Sequence, residues 1–306
     1  MKTSVTLSVI VPLYNSASCL DTLVRELREV LADYFYEIIL IDDGSKDAVW
    51  EKVLALKKEL GSSLKSIRLS RNYGQQRATF CGLSRAGGDI IITIDDDMSH
   101  PVEYLPQLIE QFQREQMDIL YVIPEKYHYP WYRKVLSLVY KRLSRYENPD
   151  AGKGSSFRIM SRALVQSIVS HSSHLIVIDE FVLWYTQSIR AVEYPFRASK
   201  KNKSRYSCSR LFHLSKNTLM ISTTMPLILV KVCGFIVAFF SLLAGVYYLV
   251  QKFVFHYAEK GYTSIIVSIL FGVGLIMFSL GIIGEYIAYI LMDVHKKPPY
   301  HIKEEL

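Results

Sequence analysis

Two stretches of this chain carry no formally charged side chain, Val232–Gln251 and Gly261–Gly284, and they constrain its fold more than any other feature. A helix rises about 1.5 Å per residue, so about 20 residues cross the roughly 30 Å hydrocarbon layer of a bilayer. Both runs are long enough, and they predict transmembrane helices at about 230–251 and 262–287. Tyr247, Tyr248, Tyr286 and Tyr289 stand where interfacial aromatics belong. No acidic residue occurs between Glu193 and Glu259, whereas nine Lys and Arg side chains do, against a whole-chain net charge of +7. A basic cluster that abuts an apolar run fits a juxtamembrane belt facing anionic lipid, and no nucleic-acid partner is expected. The connecting loop offers only Lys252 and Lys260, while basic residues crowd the other ends of both runs. The positive-inside rule therefore predicts a cytoplasmic N-terminal domain and a cytoplasmic tail.

The N-terminal two thirds read differently. Four scattered cysteines, Cys19, Cys81, Cys208 and Cys233, form neither a disulfide framework nor a zinc pattern. The apolar start after Lys2 is interrupted by Thr6 and Ser8, which reads as a first strand over 5–12 and not a leader. Further apolar runs at Glu37–Ile41, Ser66–Leu69, Ile90–Ile94 and Asp118–Ile123 alternate with amphipathic stretches near 18–33, 47–60, 75–86 and 103–115. That alternation predicts an α/β fold, a mostly parallel sheet flanked by helices. A further amphipathic segment at 131–145 opens on Trp131 and reads as a helix on the bilayer surface, with an ordinary solvated helix as the alternative.

Parallel sheets bind ligands beyond the carboxyl ends of their strands, and the polar punctuation falls there. Pro12-Leu13-Tyr14-Asn15, Asp42-Asp43-Gly44-Ser45, Arg71-Asn72-Tyr73-Gly74 and Asp95-Asp96-Asp97 each close or follow an apolar run. Three consecutive carboxylates repel one another unless something neutralises them, and a hard divalent cation does so. In extended geometry Asp95 and Asp97 share a side, free to share a metal or a sugar. Taken singly, an acidic turn or an Asp-Gly turn is ordinary.

The combination is specific. A strand, then IDDGS, then RNYGQ, then the DDD triplet, resembles family 2 glycosyltransferases of the GT-A (Rossmann-like) fold. Gly152–Arg162 (GKGSSFRIMSR) is similar to that family's GDFRLMSR segment, and Lys203–Tyr206 to its GKSKYS loop. Two apolar spans ending in GEYIAYILMDVHKKPPY (Gly284–Tyr300) resemble its polyprenyl-phosphate branch, nearest to aminoarabinose-type and bactoprenol transferases, with dolichol-phosphate mannose synthase more distant.

This resemblance implies a membrane-bound, inverting, metal-dependent enzyme that moves a sugar from a UDP- or GDP-linked donor to undecaprenyl or another polyprenyl phosphate. It implies that Pro12, Tyr14, Asp43 and Asp96 line the nucleotide-sugar pocket. It implies Asp95, Asp97 and Arg158 as catalytic residues, with Asp97 the first ligand of Mg²⁺ or Mn²⁺ and Asp95 the second. It further implies phosphate contacts from Arg133, Arg158, Arg197, Lys203, Ser204 and Arg205, since the guanidinium fork meets phosphate oxygens bidentately. A bacterial-type inner membrane location and a homo-oligomer, a tetramer, come with the same resemblance.

The domain boundaries that follow are 1–206 for the sheet domain, 207–225 for an amphipathic juxtamembrane segment, 226–292 for the two spans and 293–306 for the tail. The sequence also departs from the family pattern. Ser99 stands where a Gln is common, Ser156 replaces the acid of GDFR, Pro124 replaces a basic residue, and the loop before Lys203 is longer. Two alternatives stay open on these grounds: a membrane glycosyltransferase with another lipid or glycan acceptor, and a catalytically inactive membrane scaffold.

Overall fold

The computed structural model describes residues 5–125, 154–170, 176–197, 262–294 and 298–306, together with scattered helical positions between 230 and 243. Two compact units make up the chain, Met1–Cys208 with Lys296–Leu306 and Ser209–His295.

The first unit is organised by β1 (Thr6–Leu13), whose side chains are buried after the first residue. A strand buried on both faces needs apolar residues without alternation, and TLSVIVPL supplies them. β1 pairs in parallel with β2 (Phe35–Asp42) on one side and β4 (Ile90–Thr93) on the other, and β3 (Leu64–Leu69) extends the sheet beyond β2, also in parallel. β6 (Arg158–Ser161) runs antiparallel between β4 and β5 (Ile119–Pro124), and β7 (Ile189–Tyr194) lies parallel to β5. With β8 (Ile302–Glu305) antiparallel to β3, the strand order is β7-β5-β6-β4-β1-β2-β3-β8. The expected mostly parallel α/β sheet is what the chain forms.

Helices cover both faces. α1 (Leu20–Val30) buries Leu20, Leu23, Val24 and Leu27, the spacing of one helical face, and α4 (Leu105–Glu115) does the same with Leu105, Leu108, Ile109 and Phe112. Together with α2 (Val49–Leu60) they pack into the core that holds Leu7, Val9 and Val11 of β1. The opposite face holds Ile10, Ile39 and Ile41 against α3 (Gln75–Leu83), α5 (Arg162–Ser170) and α6 (Ile178–Tyr185). Gly82 lets α3 come this close, because a Cβ there would stand 2.4 Å from Ile10 Cγ2 and 2.8 Å from Ile41 Cδ1. Any side chain at that position would push the helix off the sheet.

β8 comes from beyond the second apolar run, in the segment expected only as a tail. Its fit is specific. The Ser66 N–H donates to the Leu306 carbonyl at 2.9 Å, the Leu306 N–H to the Ser66 carbonyl at 2.8 Å, and the Ser70 N–H to the His301 carbonyl at 2.9 Å. Arg85 pairs with Glu305 through Nε at 2.7 Å, and the Tyr300 hydroxyl lies 3.2 Å from Ser84 Oγ. Ile302 packs against the core on the α3 face. An otherwise open β3 edge, which would be a template for wrong pairing, is thereby closed.

In the second unit, α7 (Tyr262–Val294) contains Phe271–Ala288, an 18-residue stretch of mean hydropathy 1.8 with none of it buried. Phe271, Met277, Phe278, Ile283 and Ile290 are all exposed, so the helix is apolar around its circumference. Among the described residues it is the one helix long and apolar enough to cross a membrane. The described positions in the earlier run, including Ile236, Phe239 and Phe240, are helical with exposed apolar side chains. The expected segments at 131–145 and 207–225 lie outside the described residues.

Deleting residues 301–306 is expected to strip hydrogen-exchange protection from the β3 amides, Ser66 and Ser70 first, while peptides covering 35–42 keep theirs. Exchange mass spectrometry on the purified protein reads this directly.

Candidate active site at the carboxyl ends of β1, β2 and β4

Because β1, β2 and β4 run in parallel, their carboxyl ends emerge along one edge, and the turns that follow them meet there, those after β2 and β4 acidic. β1 ends in Leu13, and Tyr14 follows, partly exposed, with Pro12 buried behind it. The Tyr14 N–H donates to Asp96 Oδ2 at 2.9 Å, which ties the end of β1 to the triplet after β4. Asn15, at φ +51°, accepts from the Lys46 N–H through Oδ1 at 2.9 Å, and its own N–H donates to Ser45 Oγ at 3.0 Å. The turn after β2 is thus knitted to the turn after β1.

Asp42 and Asp43 close β2, and both are buried. Asp42 accepts from the Ser45 N–H at 2.8 Å and faces Arg68 Nε at 3.2 Å. Asp43 accepts from the N–H groups of Tyr73 at 2.7 Å and Gly74 at 2.8 Å, one on each carboxylate oxygen. Burial pushes its pKa up to about 6, although those two donors pull the other way. Gly44 makes the approach possible. Its φ of +66° is left-handed, and a Cβ would lie 2.5 Å from the Arg71 carbonyl carbon.

The triplet is held as firmly. Asp95 accepts from Gln75 Nε2 on one oxygen and from Ser156 Oγ at 2.7 Å on the other. Its N–H donates to His100 Nδ1 at 3.1 Å, so that nitrogen carries no proton and Nε2 carries it. The His100 ring is buried, stacks on Phe157 at 4.9 Å and meets the edge of Phe196 at 5.2 Å. Burial holds its pKa below the ordinary imidazole value, with Arg158 adding to the effect against the pull of Asp95 and Asp97. Between them Asp97 Oδ1 accepts from the Ser99 N–H at 2.9 Å, and Met98 adopts φ +63°. A left-handed methionine costs roughly 1–2 kcal/mol, offset here by its burial and by the bonds on either side of it.

Two of the arginines expected at phosphate are paired with carboxylates in the structure. Arg158, on β6, donates from Nε and Nη2 to the two carboxylate oxygens of Asp179 at 2.9 and 3.0 Å, with only 3% of its side chain exposed. The Tyr121 hydroxyl donates to the same carboxylate at 2.9 Å, and Gly154 packs so close to it that a Cβ would stand 2.7 Å from Asp179 Cγ. Arg197 bridges Glu26 at 2.7 Å and Glu103 at 2.8 Å, tying α1 to the turn that precedes α4. Each guanidinium fork is filled by carboxylate, the same geometry that makes it a phosphate ligand elsewhere. Arg133, Lys203, Ser204 and Arg205 lie outside the described residues. Sequence reasoning missed His100, Gln75 and Asp179. Gln75 and His100 sit within motifs already singled out, while Asp179 carries no such signal.

Among the described residues no three His, Cys, Asp or Glu side chains form a closed metal cage. Two carboxylates on one turn are, however, the protein share that a hard cation takes when phosphate oxygens complete its shell. Asp95 and Asp97 fit that arrangement.

Residues 8–169 match the glycosyl transferase family 2 profile. The chain is 30% identical over 301 residues to the prophage bactoprenol glucosyl transferase homolog of Escherichia coli (strain K12), covering 97% of this chain and 98% of the relative. It is 30% identical over 305 residues to the undecaprenyl-phosphate 4-deoxy-4-formamido-L-arabinose transferase of Enterobacter sp. (strain 638), covering 97% and 92%. Among solved structures it is similar to glucosyl-3-phosphoglycerate synthase from Mycobacterium tuberculosis in complex with Mn²⁺, UDP and glucosyl-3-phosphoglycerate. That likeness has a TM-score of 0.52 at 20% identity and covers 71% of this chain and 78% of that one, which makes the fold GT-A-like.

Two outcomes are expected. Asp179→Ala strands a guanidinium that is 3% exposed, whereas Arg158→Ala leaves a carboxylate that is 35% exposed and open to water. The first is expected to cost about 3–5 kcal/mol and the second less, compared by thermal unfolding of the two variants. For Asp43, whose folded pKa lies above its unfolded value, stability is present at low pH and lost as pH rises from about 4 through 6. The melting-temperature advantage of wild type over Asp43→Asn is therefore expected to be larger at pH 5 than at pH 7.5.

Proposed function

The chain belongs to glycosyl transferase family 2, and we propose that it transfers a sugar from a nucleotide-sugar donor to a polyprenyl phosphate, undecaprenyl phosphate being the leading candidate, at a membrane surface. One observation carries the reading: identity to the bactoprenol and undecaprenyl-phosphate transferases does not stop at the sheet domain but runs along 97% of the chain, through both apolar runs.

The donor's nucleoside fits the edge formed by Pro12, Tyr14 and Asp43. Asp95 and Asp97 would hold Mg²⁺ or Mn²⁺ together with the donor diphosphate. When bound, the cation supplies positive charge to the departing nucleoside diphosphate. The second pKa of a phosphate monoester is near 6, so the lipid phosphate is already largely dianionic at pH 7. The nucleophile then needs orientation more than deprotonation, and no side chain has to act as general base. Attack from the face opposite the leaving group inverts the anomeric carbon. Basic residues in the segments around Arg133 and Lys203–Arg205 are suited to hold the acceptor phosphate there. Two spans, at about 230–251 and 262–287, would keep the acceptor's tail in the bilayer beside a cytoplasmic catalytic domain. A homo-oligomer is part of the same reading.

The test is nucleoside-diphosphate release by the purified full-length protein over a panel of UDP- and GDP-sugars, with Mg²⁺ or Mn²⁺, with and without undecaprenyl phosphate. Release from one donor only in the presence of the lipid is the expected result, and Asp97→Ala is expected to abolish it with the fold intact. Release to a different lipid or a glycan would replace the acceptor. Silence with every donor would favour the inactive scaffold.

A further inference from the structure

Asp95 is fixed on both carboxylate oxygens and at its backbone N–H. Each of its carboxylate oxygens has a donor, and the two donors come from separate elements. Gln75 donates to one oxygen from the first turn of α3 and Ser156 to the other from the loop before β6, while His100, at the far end of the same turn, accepts the Asp95 N–H. The His100 ring closes the arrangement. Its Nδ1 takes the Asp95 N–H, while its Nε2 lies 3.5 Å from both Asp95 Oδ2 and Ser156 Oγ. Phe157 and Phe196 fix the plane of the ring, and the Ser156 carbonyl is fixed in turn by Thr93 Oγ1 at 2.6 Å. Between the two anchored ends, over the six residues Asp95–His100, the chain passes through a left-handed Met98.

We propose that His100 and Ser156 are positioning residues that lock Asp95 and the turn after it, and so set the spacing at which Asp95 and Asp97 meet a divalent cation and the donor diphosphate. The proposal rests on the reading of that turn as the cation site. It gives Ser156 a purpose in this chain: an acid there would set a second carboxylate against Asp95, whereas a hydroxyl donates to it. Groups that orient ligating carboxylates commonly change metal affinity about 10–100-fold when removed.

The test measures Mn²⁺ affinity of the full-length protein in the presence of UDP, with GDP as a second probe, from the EPR signal of free Mn²⁺. Ser156→Ala and His100→Phe are expected to weaken binding about tenfold, Ser156→Ala with an unchanged melting temperature. His100→Asn, which offers an oxygen acceptor near the position of Nδ1, is expected to recover most of the loss. Asp97→Ala tests the premise. If it abolishes binding while Ser156→Ala and His100→Phe bind as wild type, the positioning role is overturned and the cation site stands. If Asp97→Ala binds as wild type, or wild type binds with neither nucleotide, the cation site and the proposal fall together. Should His100→Phe not fold, Ser156→Ala decides alone.

Discussion

A parallel strand cannot bury its faces and also hide its ends. Once β1 lies between β2 and β4 with both faces covered by helices, the residues that follow these strands emerge on the same edge of the sheet. Asp43, Tyr14 and the Asp95–Asp97 turn are neighbours for that reason, and the Tyr14–Asp96 hydrogen bond secures what the topology brings together. Two acidic turns crowded on one edge create a charge problem, and the fold answers much of it with backbone amides. Asp42, Asp43 and Asp96 each accept an N–H from a different loop, so part of the negative charge is spent on shaping the rim. The pair that flanks Asp96 is the one proposed above to meet the cation and the donor diphosphate.

The arginines show the reverse allocation. Arg158 and Arg197 are the right residue type for a phosphate, but carboxylates 21 and 171 positions away in sequence reach them first. Their work is to hold β6 to α6 and α1 to the approach of α4. In the proposed reaction the charge that meets the acceptor would then come from segments nearer the apolar runs. On that proposal the sheet edge would read the donor and a basic region would meet the lipid.

Much of this was legible in the sequence, and the parts that were not share a cause. β1 to β5 and α1 to α4 announce themselves through local periodicity, because each buries its own apolar pattern. β6 is four residues long and lies inside a motif, and β8 reads Ile-Lys-Glu-Glu, with no apolar run at all. Both exist because a neighbouring strand supplies hydrogen-bond partners, which no local window contains. The same limit hides His100 and Asp179. A single histidine or aspartate gains its meaning from what packs around it, here Phe157 and Phe196 for one and Arg158 with Tyr121 for the other.

The position of β8 along the chain has a consequence for biosynthesis. Strands β1 to β7 are all made before α7, but the strand that seals β3 is made after it. While the apolar runs are leaving the ribosome, the nearly finished sheet still presents an unpaired edge. In the proposed membrane arrangement, final closure would follow the transfer of those runs to the bilayer. In that arrangement, completion of the sheet would be coupled to delivery at the membrane, and a chain that stalled before insertion would remain unsealed and open to quality control.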